Sequence, residues 1–239
     1  MNLASRTPQS SMPRAGRGSA HLTAAIDRMA PSSAPATRME LAVTAMVRTF
    51  ARGEIVTRQG ERETVGVLMD GVAAAQRTTS DGRAVVPFIL GHGSVIGGMA
   101  LAGHEALFDI VALAPCSAAF WAGSKLRALA AGDPGLALGL VDMTLNRFNE
   151  LTLRLDSLHY QDARGRVARV LYEHRDLCFG DRPTIGRTEL SKLVGTSAEM
   201  TRRVVSRLVR EGTIGRVGMT GLELRDDRRL RELAGVRPA

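Results

Sequence analysis

Between Gly186 and Leu208, glycine, apolar and charged residues stand at the spacing of a helix-turn-helix that reads DNA. With Gly195 as the turn residue, where a Cβ would oppose a positive φ, Leu190, Val194 and Val204 fall where two crossed helices share a small core. Ala198, Glu199, Arg202, Arg203 and Ser206 then share the outer face of the second helix. An arginine spans guanine O6 and N7, and a glutamate accepts from cytosine N4, so Arg203 and Glu199 are the candidate base readers, flanked by Arg202 and Ser206. Thr188, Ser197, Arg207 and Arg216 complete the candidate DNA contacts. Glu199 has a second reading, because Thr196-Ser197-Ala198-Glu199 has the spacing of a capping box that would hold the helix start and read no base. Thr201 stands where an aliphatic side chain is expected.

The elements around this segment agree with it. From Glu211 to Leu224 apolar and polar residues alternate about glycine-rich turns, as in a small hairpin, which makes the module winged. The net charge of +8 is unevenly spread: +4 over residues 1–39, −2 over 40–161 and +6 over 162–239. Positive charge concentrated on the reading module fits a polyanionic partner, and the middle of the chain must do something else.

A chain of 239 residues with 44% hydrophobic residues can bury real cores in one or two domains. Cys116 and Cys178 lie far apart and outside any metal-ligand spacing, so neither a zinc site nor a disulfide framework follows, and no metal is expected. No run of about 18 apolar residues exists. The N-terminus lacks the apolar core of a secretory signal, so a cytoplasmic location is expected.

Residues 1–38, rich in Ser, Pro, Arg and Ala, read as a mobile extension, with a short helix over His21 to Met29 only if a docking surface exists. From about residue 39, short apolar runs alternate with turns: Ile55-Val56, Val65 to Met69, Val72 to Gln76 and Val85 to Leu90 are separated by glycine-bearing stretches, of which Ser80-Asp81-Gly82-Arg83 is the best hairpin turn. Turn signals at this spacing imply a compact antiparallel sandwich or barrel. Asp133-Pro134 opens a long helix. Along it Leu138, Val141, Leu145, Phe148, Thr152 and Leu155 form a heptad-type seam suited to pairing with a second copy across a dimer axis. The stretch Asp162 to Arg166 interrupts the seam and marks a hinge.

In this order the parts resemble the Crp/Fnr family of bacterial transcription regulators, over about Glu40 to Leu233. The resemblance rests on Gly53-Glu54, Gln59-Gly60-Glu61, Asp70-Gly71, Gly91 to Gly97, the long helix, Gly165-Arg166-Val167-Ala168 and the helix-turn-helix. It implies an α+β fold: an antiparallel β-roll sensor like a cyclic-nucleotide-binding domain (39–133), a dimerisation helix (134–161) and a winged helix-turn-helix (162–239). It also implies a homodimer on a palindromic operator, with double-stranded DNA and RNA polymerase as partners and no catalytic residues.

The sensor departs from the cyclic-AMP-binding members, which follow the Ile-Gly turn with a glutamate and later hold the cyclic phosphate with an Arg-Ser pair. Here the corresponding residues are Gly98 and the pair Phe108-Asp109. Gly98 offers no carboxylate to a ribose hydroxyl, Phe108 cannot pair with phosphate and Asp109 repels it. Cyclic AMP is therefore not expected to bind in the usual manner. A non-standard pocket would use the amides of Gly97, Gly98 and Met99, with Thr152 near the position that touches the nucleobase. An oxygen-sensing iron–sulfur version is disfavoured by the cysteine-free N-terminal extension, and His92 and His104 read as loop residues before haem ligands. Cys116 reads as a small packing residue. The competing class is a cupin-like enzyme, which wants clustered histidines, whereas His21, His92, His104, His159 and His174 are scattered.

Overall fold

A computed structural model describes residues 15–78 and 84–236. The Ser80 to Arg83 turn and the first 14 residues lie outside the described residues. The chain forms two compact units, residues 1–73 with 90–145, and residues 74–89 with 146–239.

Over residues 15–38 the N-terminal unit corrects the reading of a mobile extension and supplies the docking surface that a helix over His21 to Met29 requires. Within it, α1 (Ala15–Met29) and α2 (Pro35–Thr44) are helices. Leu22, Ala25, Ile26 and Met29 follow the helical 3–4 spacing and put their apolar atoms on one face. Ala25, Met29 and Ala30 are wholly buried, in one core with Val65, Val67, Met69 and Trp121. A short helix with so few large side chains is marginal in water alone, and the β-structure supplies the surface it needs.

That surface comes from the first of two sheets built, among the described residues, by eight strands: β1 (Met46–Phe50), β2 (Ile55–Thr57), β3 (Thr64–Asp70), β4 (Ala73–Thr78), β5 (Ala84–Leu90), β6 (Val95–Ile96), β7 (Asp109–Ala112) and β8 (Cys116–Ala122). They form two four-stranded sheets, ordered β1-β8-β3-β6 and β2-β7-β4-β5. In the first sheet β8 is central, antiparallel to β1 from Met46↔Phe120 to Phe50↔Cys116 and to β3 from Thr64↔Ala122 onward. The β3–β4 turn needs Gly71: its φ is +82, and a Cβ there would stand 2.4 Å from the Pro115 carbonyl oxygen. Trp121 Nε1 donates to the Leu41 carbonyl at 2.9 Å, which satisfies the buried indole and ties α2 to the sheet.

After α3 (Gly123–Gly132) comes α4 (Pro134–Tyr160), with proline in its first turn as expected. Gly135 and Gly139 let the backbone after α1 approach closely, since a Cβ would come within 2.1 Å of the Ser32 carbonyl oxygen and 2.3 Å of that of Met29. Asp133 fastens this junction. Its carboxylate accepts from the N–H groups of Gly135 (2.8 Å) and Leu136 (3.2 Å) at the helix start, and from that of Ala34 (2.9 Å) before α2.

The C-terminal unit holds the hairpin of β4 and β5, the second half of α4, α5 (Ala163–Glu173), α6 (Arg175–Cys178), α7 (Arg187–Val194), α8 (Ala198–Arg210), β9 (Ile214–Val217), β10 (Gly221–Leu224) and α9 (Asp227–Ala234). Its core is apolar and fully enclosed around Val167, Leu171, Leu193, Leu208, Ile214 and Leu230. Asp162 at the expected hinge caps α5, its Oδ1 accepting from Gly165 N–H at 2.8 Å. No helix among the described residues is long and apolar enough to cross a membrane.

Asp133 makes the junction sensitive to acid. A hydrogen bond from the Thr37 side chain, aided by the backbone N–H groups of Ala34, Leu136 and Gly135, holds its carboxyl below the usual carboxylate range, with burial acting in the opposite direction. The stabilisation is complete above the unfolded value of about 3.9 and is lost as pH falls through the lower folded value. Asp133→Asn should therefore lower the thermal midpoint at neutral pH, and the gap to the parent should narrow below about pH 4. A gap independent of pH, in melts followed by circular dichroism, would rule out the ionised carboxylate as the stabilising group.

Candidate nucleic-acid interface

The helix-turn-helix forms as its spacing predicts. Gly195 ends α7 in the left-handed region (φ 69, ψ 41), its N–H donating to the Ser191 carbonyl at 3.1 Å. Leu190, Val194 and Val204 are buried between the helices. The cap of α8 is Ser197, whose Oγ accepts from Met200 N–H at 3.1 Å. The Thr196–Glu199 capping box therefore does not form. Glu199 lies one position too early in the helix to reach back and instead takes Arg203 at 2.6 Å, both side chains largely in solvent. That pair is worth little in water, so it leaves both groups available.

Ala198, Glu199, Arg202 and Arg203 are exposed on the outer face of α8, with Ser206 half-buried beside them and Thr188 exposed in the first turn of α7. Arg207 differs: its Nε donates to Glu211 at 2.8 Å, and Arg164 reaches the same carboxylate. The Arg207 hydrogen bond, followed by the charge of Arg164, holds the Glu211 carboxyl below its ordinary value. Arg207 is thus partly neutralised, and Arg202 is not.

The wing is the antiparallel pair β9–β10, from Ile214↔Leu224 to Val217↔Gly221, with Arg216 exposed on it. Between wing and helices lies a cavity of about 260 Å³ lined by Arg187, Arg202, Arg216, Thr188 and Thr220. None of these three arginines makes an ion pair among the described residues. Sequence reasoning missed Arg187, although a cation at the first position of the first reading helix was a signal. It also missed Met219, which is 95% exposed at the wing tip, where a large apolar side chain gains nothing from the isolated chain.

The expected effector residues divide between the units. In the N-terminal unit Gly97 is left-handed (φ +68), and a Cβ there would stand 2.5 Å from the Thr64 carbonyl oxygen. The turn continues as a short 3-10 segment, Gly98–Ala102, with Gly98 and Met99 exposed. Phe108 is half-buried, and Asp109 accepts from Gln59 N–H at 2.8 Å, so its carboxylate braces a turn. In the C-terminal unit Thr152 donates to the Phe148 carbonyl of its own helix at 3.0 Å. Along α4 Leu138, Val141, Leu145, Phe148 and Leu155 are between 50% and 68% exposed. His92 Nδ1 lies 2.7 Å from the Met69 carbonyl oxygen, a local backbone contact. Both thiols are buried: burial, then Asp70 and Glu54, push Cys116 up to about 11, and burial pushes Cys178 up to about 12. Among the described residues no three His, Cys, Asp or Glu side chains gather as a metal site.

Comparison with known proteins places these parts. Residues 47–133 match the cyclic nucleotide-binding domain family and residues 165–233 the Crp-like helix-turn-helix domain family. Together the two matches span well over half of the chain. The chain is similar to the cyclic AMP receptor protein of Thermus thermophilus, 29% identical over 189 residues that cover 78% of this chain and 87% of that one. It is also similar to the cAMP-activated global transcriptional regulator Vfr of Pseudomonas aeruginosa, 27% identical over 187 residues, 72% of this chain and 86% of that one. The fold is that of FixK2 from Bradyrhizobium japonicum, with a TM-score of 0.70 at 24% identity over 81% of this chain and 99% of that one.

Thr201 adds a testable detail. It is buried at the base of α8, and its hydroxyl has no hydrogen-bond partner. Burying such a group unpaired costs about 1–3 kcal/mol. Thr201→Val keeps the shape and removes the cost, so the thermal midpoint should rise by about 2–4 °C per kcal/mol recovered. A fall in the midpoint on calorimetry would mean that the hydroxyl is satisfied.

Proposed function

Because the chain belongs to the Crp/Fnr family of DNA-binding transcription regulators, we propose that it binds an inverted-repeat operator as a homodimer, with α8 in the major groove. The observation that carries this reading is the outer face of α8, where Glu199 and Arg203 stand exposed on a helix anchored by its buried face. On DNA the pair exchanges its mutual contact for bases: Arg203 takes a guanine edge and Glu199 accepts from a cytosine. Arg187, Arg202 and Arg216, with Thr188 and Ser197, take backbone phosphates and set the register. Arg207, already paired, contributes less. Met219 at the wing tip lies against the duplex, where its apolar surface leaves water.

Dimerisation uses the exposed strip of Leu138, Val141, Leu145, Phe148 and Leu155, with Thr152 in the same seam. Pairing along it sets two reading helices about 34 Å apart, one turn of duplex. RNA polymerase is the further partner by family resemblance, the work is cytoplasmic, and the reading includes no catalytic step. The named relatives are called cyclic AMP receptor and cAMP-activated, and this chain departs from them: Gly98 brings no carboxylate, and Asp109 brings a negative charge where a cation is wanted. Cyclic AMP is accordingly not required for operator binding.

Binding-site selection on duplex DNA, with and without cyclic AMP, tests the readout. Arg203→Ala should weaken binding by about 1–3 kcal/mol per half-site and relax one base pair of the motif, whereas a phosphate contact would weaken all sequences alike. An unchanged motif would remove Arg203 from base readout, and a motif recovered only with cyclic AMP would restore the nucleotide as effector.

Leu145→Glu with Phe148→Glu places two charges in the seam and should give monomers in sedimentation at concentrations where the parent is dimeric. An intact dimer of the double variant would move the interface elsewhere.

A further inference from the structure

Within the C-terminal unit a cavity of about 230 Å³ opens between α4, α5 and the β5 strand, and its charges do not balance. Arg154, Arg166 and Arg169 line it with Glu150 and Glu173. Both carboxylates are already engaged, Glu173 by Arg169 at 2.7 Å and Glu150 by Arg147 at 2.5 Å. Arg154 is half-buried and makes no hydrogen bond or ion pair among the described residues. Arg166 donates through one terminal nitrogen to the Gln161 carbonyl at 2.9 Å, and its Nε is buried without a partner. Two guanidinium groups thus face a sheltered space with no ion pair among the described residues, an arrangement that an external anion would relieve.

The neighbouring groups relieve the excess only in part. Burial lowers the Arg154 value most, the charge of Glu173 opposes it, and the charges of Arg166 and Arg169 lower it further. His174, also in the cavity wall, is kept below the ordinary imidazole value by burial and by Arg154, with Glu173 opposing, and so adds no cation at neutral pH. Apart from Ser157, whose hydroxyl donates to Gln161, the remaining wall is apolar, with Phe88 and Leu153 prominent. At about 30 Å³ per water the space equals several waters, the scale of a small metabolite. The site also stays clear of the dimer seam. On α4 the cavity residues Glu150, Leu153, Arg154 and Ser157 lie, at about 100° per residue, roughly opposite Leu145, Phe148 and Leu155.

We propose that this cavity binds a small organic oxyanion, whose phosphate or carboxylate group is taken by Arg154 and Arg166 and whose body lies against Phe88 and Leu153. Guanidinium forks match both anions in two-bond geometry, and the sheltered wall strengthens the contact. The site is separate from the Gly97 to Met99 turn and uses residues of the C-terminal unit alone.

The test is calorimetric titration of the full chain, without DNA, using inorganic phosphate, glycerol 3-phosphate and succinate as probes, with sodium chloride at matched ionic strength as the control. Because no operator is present, the outcome does not depend on the DNA-binding reading. The expected result is saturable millimolar or tighter binding of at least one probe, weakened about tenfold or more in Arg154→Gln and only a few-fold in Arg154→Lys. Arg228→Gln, on exposed α9, should leave the affinity as it was. Phosphate and glycerol 3-phosphate binding without succinate binding assigns a phosphate ligand, and the reverse assigns a carboxylate. Absence of binding by all three probes overturns the proposal, as does equal binding by parent and Arg154→Gln, or an equal loss in Arg228→Gln.

Discussion

One helix has to satisfy three environments at once, and the rest of the structure is arranged around that constraint. A helix of the 27 residues of α4 is about 40 Å long. Leu136 and Leu140, near its start, are buried in the N-terminal core, and Gly135 and Gly139 admit the backbone that follows α1. Leu138, Val141, Leu145, Phe148 and Leu155 form a second strip in water, and Leu153, Arg154 and Ser157 a third beside α5. Burying an apolar side chain is worth about 1.5–3 kcal/mol, so leaving the second strip exposed forgoes several such contributions. A sequence can place apolar residues there without loss of solubility only if something covers them, and the regular heptad spacing suits a copy of the same helix.

Electrostatics sorts the arginines of the C-terminal unit into two sets. Arg169, Arg175, Arg203, Arg207, Arg225, Arg228 and Arg229 each face a carboxylate, most of them three or four residues away on the same helix. Such pairs hold side chains off the surface field more than they stabilise the fold. Of the arginines with no ion pair among the described residues, Arg187, Arg202 and Arg216 gather around the wing cleft, and Arg154 with Arg166 around the cavity beside α5. Unpaired cations gathered in a concave space mark where an external anion finds the most complementary field. Arg203 is paired and still available: its contact with Glu199 keeps two readers extended on one face, and exchanging that exposed pair for bases costs little.

The parts legible in the sequence are those whose signals are local. Gly195 had to be left-handed because two helices turn sharply there, and Leu190, Val194 and Val204 had to be buried for the helices to cross. Strands β2 to β5 followed from glycine-bearing turns, whereas β1, β6, β7 and the central β8 were not among the runs read from the sequence; α4 followed from Asp133-Pro134 and its seam. Capping was misassigned by one residue, since Thr196 and Ser197 can both serve and only backbone geometry chooses between them. The N-terminal helices were legible only in part, α1 as a conditional helix over His21 to Met29 and α2 not at all, for a different reason. Ala25, Ile26, Met29 and Ala30 are small or few, and their burial depends on β3, β8 and the glycines of α4, which lie far along the chain. The Arg154–Arg166 cavity is non-local in the same way, because it exists only where α4, α5 and β5 meet.

The chemistry left available for sensing is narrow, and it points to non-covalent binding. Thiols held at about 11 and 12 are protonated at neutral pH, so Cys116 and Cys178 are poor nucleophiles. The turn at Gly97 offers backbone amides but no carboxylate for a ribose, and Asp109 is already bound to Gln59. A ligand shifts a conformational equilibrium only by the difference between its affinities for the two states. A ligand therefore acts best on groups whose spacing changes when elements move. Arg154 on α4 and Arg166 on α5 stand on either side of the Asp162 cap, so the proposed anion, if held between them, would tie the two helices together at that corner. The helix that carries the dimer seam and the helix that opens the DNA-binding module meet there, which makes the corner a short physical link between occupancy and the placement of α8.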